Sequence, residues 1–334
     1  MDRDLPRIKD RPTLEKFHKI LASELEQFDR EYRETLRSDV FLVDQVISYL
    51  VQRKGKRIRP ILTFLAAKLF GDVSLRCIKA AIVVELLHVA TLVHDDVVDE
   101  APVRRGFPTI NNVWRNKVAV LVGDYVLAKS LTGMLDLRDL AVFDVLSGTA
   151  KRMSRGELLQ IAKVRKLDIT EDVYLDMIAD KTASLLSACC ELGAMTTDGQ
   201  SRDREILRTF GEKVGIAFQI RDDVLDFVGV QSLFGKQIGR DVREQKITLP
   251  LIHAFQQADS SESKDVLRQI KRGLTRGDIG KIVEFVTRYR GIEYADDLAR
   301  RYADEAKRLL SGFPPTPSLE LLLEFSDYLV SRNK

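Results

Sequence analysis

Cysteine is scarce in this chain: Cys77, Cys189 and Cys190 are the only three in 334 residues. They have neither metal-ligand nor framework spacing, which excludes a thiolate metal centre and a disulfide-stapled scaffold. Cys189 and Cys190 are adjacent in an apolar segment, so buried free thiols and a reducing, cytoplasmic setting are expected. An excess of one charge is missing too. Lys and Arg number 53 against 50 Asp and Glu, a net charge of +3 with the two signs interleaved. One basic run, from Arg53 to Arg59, does not make a nucleic-acid-binding protein, and no nucleic-acid partner is expected. No Gly/Ser-rich or Pro-rich linker interrupts the middle, so a single domain over residues 1–334 is expected. The stretch from Met1 to Arg7 lacks the basic-then-apolar order of a signal peptide. The longest apolar runs are too short and interrupted to span a bilayer, so no transmembrane segment is expected. Strand alternation, a fixed-period repeat, a Walker A sequence, a dinucleotide glycine fingerprint and a Ser/His/Asp elbow are all absent. The P-loop, dinucleotide-binding and serine-hydrolase readings fall with them.

What is present is helix. Hydrophobic residues make up 45% of the chain and recur at helical spacing along nearly every long segment. Thr13 is a candidate cap for a helix reaching about Leu36, with Leu14, Phe17, Ile20, Leu21, Leu25 and Phe28 on its apolar positions. Further helices are predicted over 40–50, over 61–70 with Pro60 at the start, and from Ser74, a candidate cap, to near Asp99. The pattern continues over 118–135, 140–158, 171–195 and 204 to about 228. Four more amphipathic helices follow, the last near 318–331. Arg104 to Thr109, and the Gly-rich, basic stretch 232–244, read as loops. The fold class is all-α, a bundle with a site between facing helices.

Two acidic clusters stand out against this apolar background. Glu85, His88, Asp95 and Asp99 fall on one face of the long helix, and Asp95, Asp96 and Asp99 crowd its last turn. Carboxylates there repel one another and meet the negative end of the helix dipole, so the helix requires a compensating charge. Asp222, Asp223 and Asp226 repeat the spacing in a second apolar helix, with Gln219 on the same face. Carboxylates without His or Cys suit a hard cation such as Mg²⁺, which keeps waters and is shared with substrate phosphate. Two such clusters read as two walls of one metal site with a phosphorylated ligand between them. The plainer reading of either alone is a solvated helix end.

The bases fall into two groups. Gly55, Lys56, Arg57 and Arg59 lie at a helix start, where backbone N–H groups and cations suit an anion. Arg104 and Arg105 follow the first acidic cluster closely enough to fold back over it. Lys181 and Thr182 lie mid-helix, and Lys236 and Lys246 flank the loop after the second cluster. Singly, each reads as surface solvation. Together they suggest one anion site with metals and a second with bases only.

These residues resemble the trans-isoprenyl diphosphate synthases, or polyprenyl synthetases, from about Lys54 to Pro250. The family's two aspartate-rich motifs correspond to Asp95–Asp99 and Asp222–Asp226, and its basic Gly-Lys-Arg-x-Arg-Pro segment to Gly55–Pro60. Its Glu-x-x-His is Glu85–His88, its paired arginines are Arg104 and Arg105, its Lys-Thr is Lys181 and Thr182, and its Phe-Gln is Phe218 and Gln219. Its closing stretch matches Gly235, Lys236, Gly239, Asp241 and Lys246 to Pro250. Three positions depart: Lys54 and Gln245, where the family often has Gly, and Arg221, where it has an apolar residue. Arg221 is close enough in sequence to pair with one of the acids.

The resemblance implies an isoprenoid-synthase-type helical bundle around a central cavity, acting as a homodimer. It implies Mg²⁺, three ions with substrate bound, held by Asp95, Asp99 and Asp222 with Asp96, Asp223 and Asp226 in support. The same allylic diphosphate would be held by Arg104, Lys181, Thr182, Gln219, Lys236 and Lys246. Isopentenyl diphosphate would sit on Gly55, Lys56, Arg59, His88 and Arg105. Asp95, Asp99, Lys181, Asp222 and Lys236 are the implied catalytic residues, and peripheral membrane contact would serve product release. Small Thr91 and Ala90, four and five residues before Asp95, leave room for a growing chain, which implies a long-chain product and a quinone side-chain precursor. A short-chain farnesyl or geranylgeranyl synthase, a terpene cyclase and a non-catalytic synthase subunit are the alternatives.

Overall fold

The computed structural model describes residues 13–52, 55–104, 106–166, 168–228, 240–274 and 276–331. Among these, the regular structure is helix apart from one minimal hairpin. The all-α expectation holds. The contacts divide the chain into two compact units: Met1–Val142 with Leu192–Gln200 and Pro314–Leu329, and Phe143–Glu191 with Ser201–Phe313 and Val330–Lys334.

The first unit opens with α1 (Leu14–Ile20), α2 (Ala22–Leu36), α3 (Phe41–Gln52) and α4 (Ile58–Ala67). One helix was expected over Thr13–Leu36. It breaks at Leu21, whose φ of −104° and ψ of 25° leave the helical region. Pro60 sits in the first turn of α4, where a missing N–H costs nothing. Next comes α5 (Leu75–Val98), capped as expected by Ser74, whose Oγ accepts from Cys77 N at 3.2 Å. The loop after it carries a hairpin that strand alternation did not reveal, β1 (Val103–Arg104) on β2 (Phe107–Pro108). A helix α6 (Ile110–Asp136) follows, starting eight residues before the expected 118 and kinked at Arg115, where φ is 71°. Its inner face packs along α5. Gly193 is required in this unit: a Cβ there would lie 2.6 Å from Thr63 O, in the buried part of α4.

By length and composition, α5 and α6 are each long and apolar enough to cross a bilayer, contrary to the expectation from interrupted runs. In the fold α5 is mostly buried as a core helix, which explains an apolar sequence without strong sidedness.

The second unit takes α7 (Leu140–Lys166) from Phe143 on, α8 (Glu171–Ile178), a π-turn over Ala179–Ala183, α9 (Ser184–Met195) up to Glu191, and α10 (Ser201–Val228). The expected helix over 171–195 is thus continuous but underwound at its middle, over the π-turn. A short α11 (Arg240–Arg243) falls where a loop was expected over 232–244; 232–239 lie outside the described residues. Then come α12 (Leu249–Gln257), α13 (Ser260–Lys271), α14 (Arg276–Arg288) and α15 (Gly291–Leu309), and α16 (Pro317–Ser331) closes the chain, its body in the first unit. These are five helices rather than four, because extended backbone at Ala258 and Asp259 separates α12 from α13. The second core is formed by apolar residues of α8, α10, α12, α14 and α15, among them Tyr174, Phe227, Leu251 and Phe285. All three cysteines are buried and none is in a disulfide, as expected.

Candidate active site

In the first unit the acidic segment closes α5. Asp95 and Asp99 are one turn apart, half-buried and exposed, whereas Asp96, about 100° round the helix, is only 7% exposed. Arg104 Nε donates to Asp96 Oδ1 at 2.6 Å. Ala101 N and Asn111 Nδ2 donate to the Asp96 carbonyl at 3.0 and 3.1 Å. Arg104 was expected on substrate; here it clamps the hairpin onto the motif and supplies part of the positive charge this helix end requires. Arg105, the next residue in sequence, lies outside the described residues, as does Lys236.

The expected line of Glu85, His88, Asp95 and Asp99 splits. Glu85 is buried and meets Arg57 Nη1 at 3.6 Å, while Arg57 Nη2 reaches Asp29 Oδ1 at 2.8 Å. The Arg57 guanidinium also lies over the rings of Phe28 and Tyr32, at 5.2 and 5.3 Å. Arg57, grouped with the anion-binding bases on sequence, therefore points into the fold. Its φ of 53° turns the chain left-handed at the cap of α4, separating it from its neighbours. Lys56 is exposed, and Gly55, Arg59 and His88 are half-buried. Ala90 is buried, and the half-buried Thr91 donates from Oγ1 to His88 O at 2.8 Å.

In the second unit the π-turn carries Lys181 and Thr182. Such turns insert one residue and re-aim the side chains around it. Asp180 is buried and held by Arg152 Nε at 2.7 Å and by Arg155. Arg152 also reaches Glu212 Oε1 at 2.7 Å. Lys181 pairs with Glu157 and donates to Gln160 Oε1 at 3.2 Å. Gly156 makes this approach possible, since a Cβ there would lie 2.6 Å from Lys181 N.

Thr182 Oγ1 donates to Gln219 Oε1 at 2.8 Å, and Gln219 Nε2 donates to Asp223 Oδ1 at 2.8 Å. Tyr174 Oη donates to Asp223 Oδ2 at 2.7 Å. Asp223 is only 4% exposed, whereas Asp222 and Asp226 are half-buried. In both motifs, then, the middle acid is buried, and the outer two, one turn apart, share a more exposed face about 100° round the helix. Asp226 Oδ2 accepts from Asp241 N at 3.2 Å. Lys246 lies near Glu244 Oε2, at 2.8 Å. Arg221, placed beside the acids by sequence, donates to Asp296 Oδ1 on α15 at 2.6 Å. Gln245 adopts a φ of 60° at a position where the resembled family often has Gly, and donates to Ile270 O at 3.2 Å.

A cavity of about 150 Å³ opens here, lined by Lys181, Thr182, Gln219, Asp223 and Lys246 of the expected set. Gln160, Lys163 and Asp241 line it too, with an apolar side from Ile169, Met177, Ile178 and Ile247. Sequence reasoning assigned no role to Gln160, Lys163, Asp241 or Tyr174. The signals available were the spacing of Glu157 and Gln160, one turn apart on α7, and the place of Asp241 in the resembled closing stretch. Burial, then the charge of Asp241, pushes the Asp223 carboxyl well above the usual carboxylate range. Burial, then Asp223, pushes the Tyr174 phenol well above its ordinary value, so it remains a donor.

Among the described residues, no three His, Cys, Asp or Glu side chains gather closely enough to hold a metal ion by themselves. The donor set is nonetheless of the kind a hard cation takes: carboxylates one turn apart, with room for water and phosphate oxygens.

Fold and cavity define a class, an all-α protein with a polar, base-lined cavity beside an Asp-rich helix. Residues 41–286 match the family model described as Polyprenyl synthetase. The octaprenyl diphosphate synthase of Escherichia coli is 34% identical over 321 residues, 96% of this chain and 99% of that one. The crystal structure of a decaprenyl diphosphate synthase from Rhodobacter capsulatus matches with a TM-score of 0.91 at 35% identity, over 96% of this chain and 100% of that one. A polyprenyl synthase from Caulobacter crescentus, complexed with calcium and isoprenyl diphosphate, matches with a TM-score of 0.90 at 33% identity, over 98% and 100%. The chain belongs to the polyprenyl synthetase family. It is a trans-prenyltransferase.

Proposed function

We propose that this enzyme condenses isopentenyl diphosphate with an allylic diphosphate, repeatedly, to give an all-trans polyprenyl diphosphate longer than C20. The observation that carries this reading is the shared architecture of the two motifs, each with its middle acid buried and hydrogen-bonded and its outer acids on a more exposed neighbouring face. Similarity to octaprenyl and decaprenyl synthases supports the long product. Each unit carries one motif, so residues 1–334 act as one functional domain in this reading.

Asp95, Asp99 and Asp222 would hold Mg²⁺, with Asp226 beside Asp222 and Asp96 and Asp223 in support. The calcium and isoprenyl diphosphate of the Caulobacter crescentus protein support a divalent ion for this chain. When bound, Mg²⁺ neutralises the charge that develops on the leaving diphosphate. Lys181, Thr182, Gln219 and Lys246 orient that diphosphate, and Lys236 joins them. Lys56, Arg59, His88 and Arg105 hold isopentenyl diphosphate, presenting its double bond to the allylic carbon. The C–O bond breaks, the new C–C bond forms, and a proton lost to the released diphosphate restores the double bond.

A homodimer is part of this reading. Val113, Val120, Leu121, Leu131 and Leu135 stay exposed on one side of α6, and Lys117 and Asp124 among them can pair across a two-fold axis. The buried thiols support a reducing, cytoplasmic setting. The test is elongation: purified protein, farnesyl or geranylgeranyl diphosphate, isopentenyl diphosphate and Mg²⁺, with products sized by mass spectrometry. Cyclised hydrocarbon, or no elongation, overturns the reading.

A further inference from the structure

The hydroxyl of Tyr174 is unexplained by packing. The side chain is fully buried in the second core, where phenylalanine would fill the same space. Burying a phenol beside a carboxyl is unfavourable unless both are hydrogen-bonded. The pair is retained on α8 and α10, 2.7 Å apart, and neither partner of Tyr174 along the chain of bonds is idle.

Asp223 accepts from Tyr174 on one oxygen and from Gln219 on the other. That second bond decides which way the Gln219 amide faces: nitrogen toward Asp223, oxygen toward Thr182. Thr182 Oγ1 then donates to the Gln219 oxygen. One of the two amide hydrogens of Gln219 is spent on Asp223, and the other is a donor it can offer to a phosphate oxygen. Thr182, Gln219 and Asp223 all line the cavity with Lys181 and Lys246, and Tyr174 does not. A flipped amide would instead present its oxygen to the phosphate.

We propose that Tyr174 is a positioning residue for the allylic diphosphate, acting through Asp223 to orient Gln219 and Thr182. This rests on the assignment of the cavity to that diphosphate. Without the Tyr174 hydroxyl, the Asp223 carboxyl loses one of its two anchors and the amide of Gln219 is no longer held in one sense. The effect reaches one substrate only, because the bonds end at Thr182, whereas isopentenyl diphosphate is assigned to Lys56, Arg59, His88 and Arg105.

The experiment uses the full chain and three variants: Tyr174→Phe, Thr182→Val and the double. In Tyr174→Phe the KM for the allylic diphosphate should rise about 3- to 10-fold, with the KM for isopentenyl diphosphate and the product length unchanged. Calorimetry with inorganic diphosphate, with and without Mg²⁺, gives a readout independent of turnover: Tyr174→Phe should weaken binding by a similar factor. In the double variant the two losses should fail to multiply, since both act on one chain of bonds. Asp223→Asn puts an amide nitrogen opposite one of two donors and should show the same pattern more strongly. Equal rises in both KM values, unchanged diphosphate affinity, or losses that multiply overturn the proposal while the wild type still elongates. A wild type that elongates nothing overturns the functional reading, and this proposal with it.

Discussion

Arg104 Nε donates to Asp96 Oδ1 at 2.6 Å, so one base of the expected substrate set is engaged by one acid of the expected metal set. The same division recurs in the second motif, where Tyr174 and Gln219 occupy Asp223. Within each motif, burial separates two kinds of aspartate that share one letter.

The acids should therefore differ in effect. Asp95→Ala or Asp222→Ala should lower turnover by orders of magnitude with helical circular dichroism intact. Asp96→Asn should act more mildly on turnover and more on stability, because it leaves a buried group and Arg104 mismatched, at about 1–3 kcal/mol. Turnover close to wild type in Asp95→Ala or Asp222→Ala, or an Asp96→Asn loss as deep as theirs, contradicts this division.

The two base groups should separate by substrate. Lys56→Ala or Arg59→Ala should raise the KM for isopentenyl diphosphate, and Lys181→Ala the KM for the allylic substrate. Loss of Lys181 also leaves Glu157 without its ion-pair partner, so melting temperatures should accompany the kinetics. If all three variants weaken the same substrate, the split into two anion sites is wrong.

Burial pushes the Cys77 thiol up to about 11. Burial, then the neighbouring Cys189, pushes Cys190 well above its ordinary value. Unfolded thiols ionise near ~8.5. Below that pH both states hold the proton and stability is indifferent to these groups. As pH rises from about 8.5 toward 11, the unfolded chain releases protons the folded chain keeps, so stability falls. Urea midpoints at pH 8 and pH 10 measure this, and Cys77→Ala should shrink the difference. Iodoacetamide should leave the native thiols unmodified at pH 8; modification at the rate of a free thiol would show that they are not buried.

Chain length tests the room beside α5. Ala90 and Thr91 lie about 6–7.5 Å along the helix from Asp95. Ala90→Phe should shift products to short chains with initial turnover largely kept. Ala90 is buried, so overpacking of about 1–3 kcal/mol is expected, and Thr91→Phe at the half-buried neighbour serves as a second probe. Two folded variants with unchanged product length would place the growing chain elsewhere.

Helical class, the cap at Ser74, the buried thiols and the positions of both Asp-rich motifs were legible in the sequence. Each depends on local spacing or on composition, which one chain displays directly. The direction of a side chain around its helix is different, because neighbours far along the chain decide it. Arg57 reads as one base among several, and only its left-handed backbone and the approach of Asp29 and Glu85 turn it inward. Arg221 reads as a companion of the second motif, and no local pattern shows the partner that α15 supplies 75 residues later, Asp296. The π-turn under Lys181 leaves no trace in a 3.6-residue pattern, since one inserted residue only rotates the apolar stripe. Tyr174 carries no signal at all: a tyrosine on an apolar face is an ordinary core residue until α10 brings Asp223 against its hydroxyl.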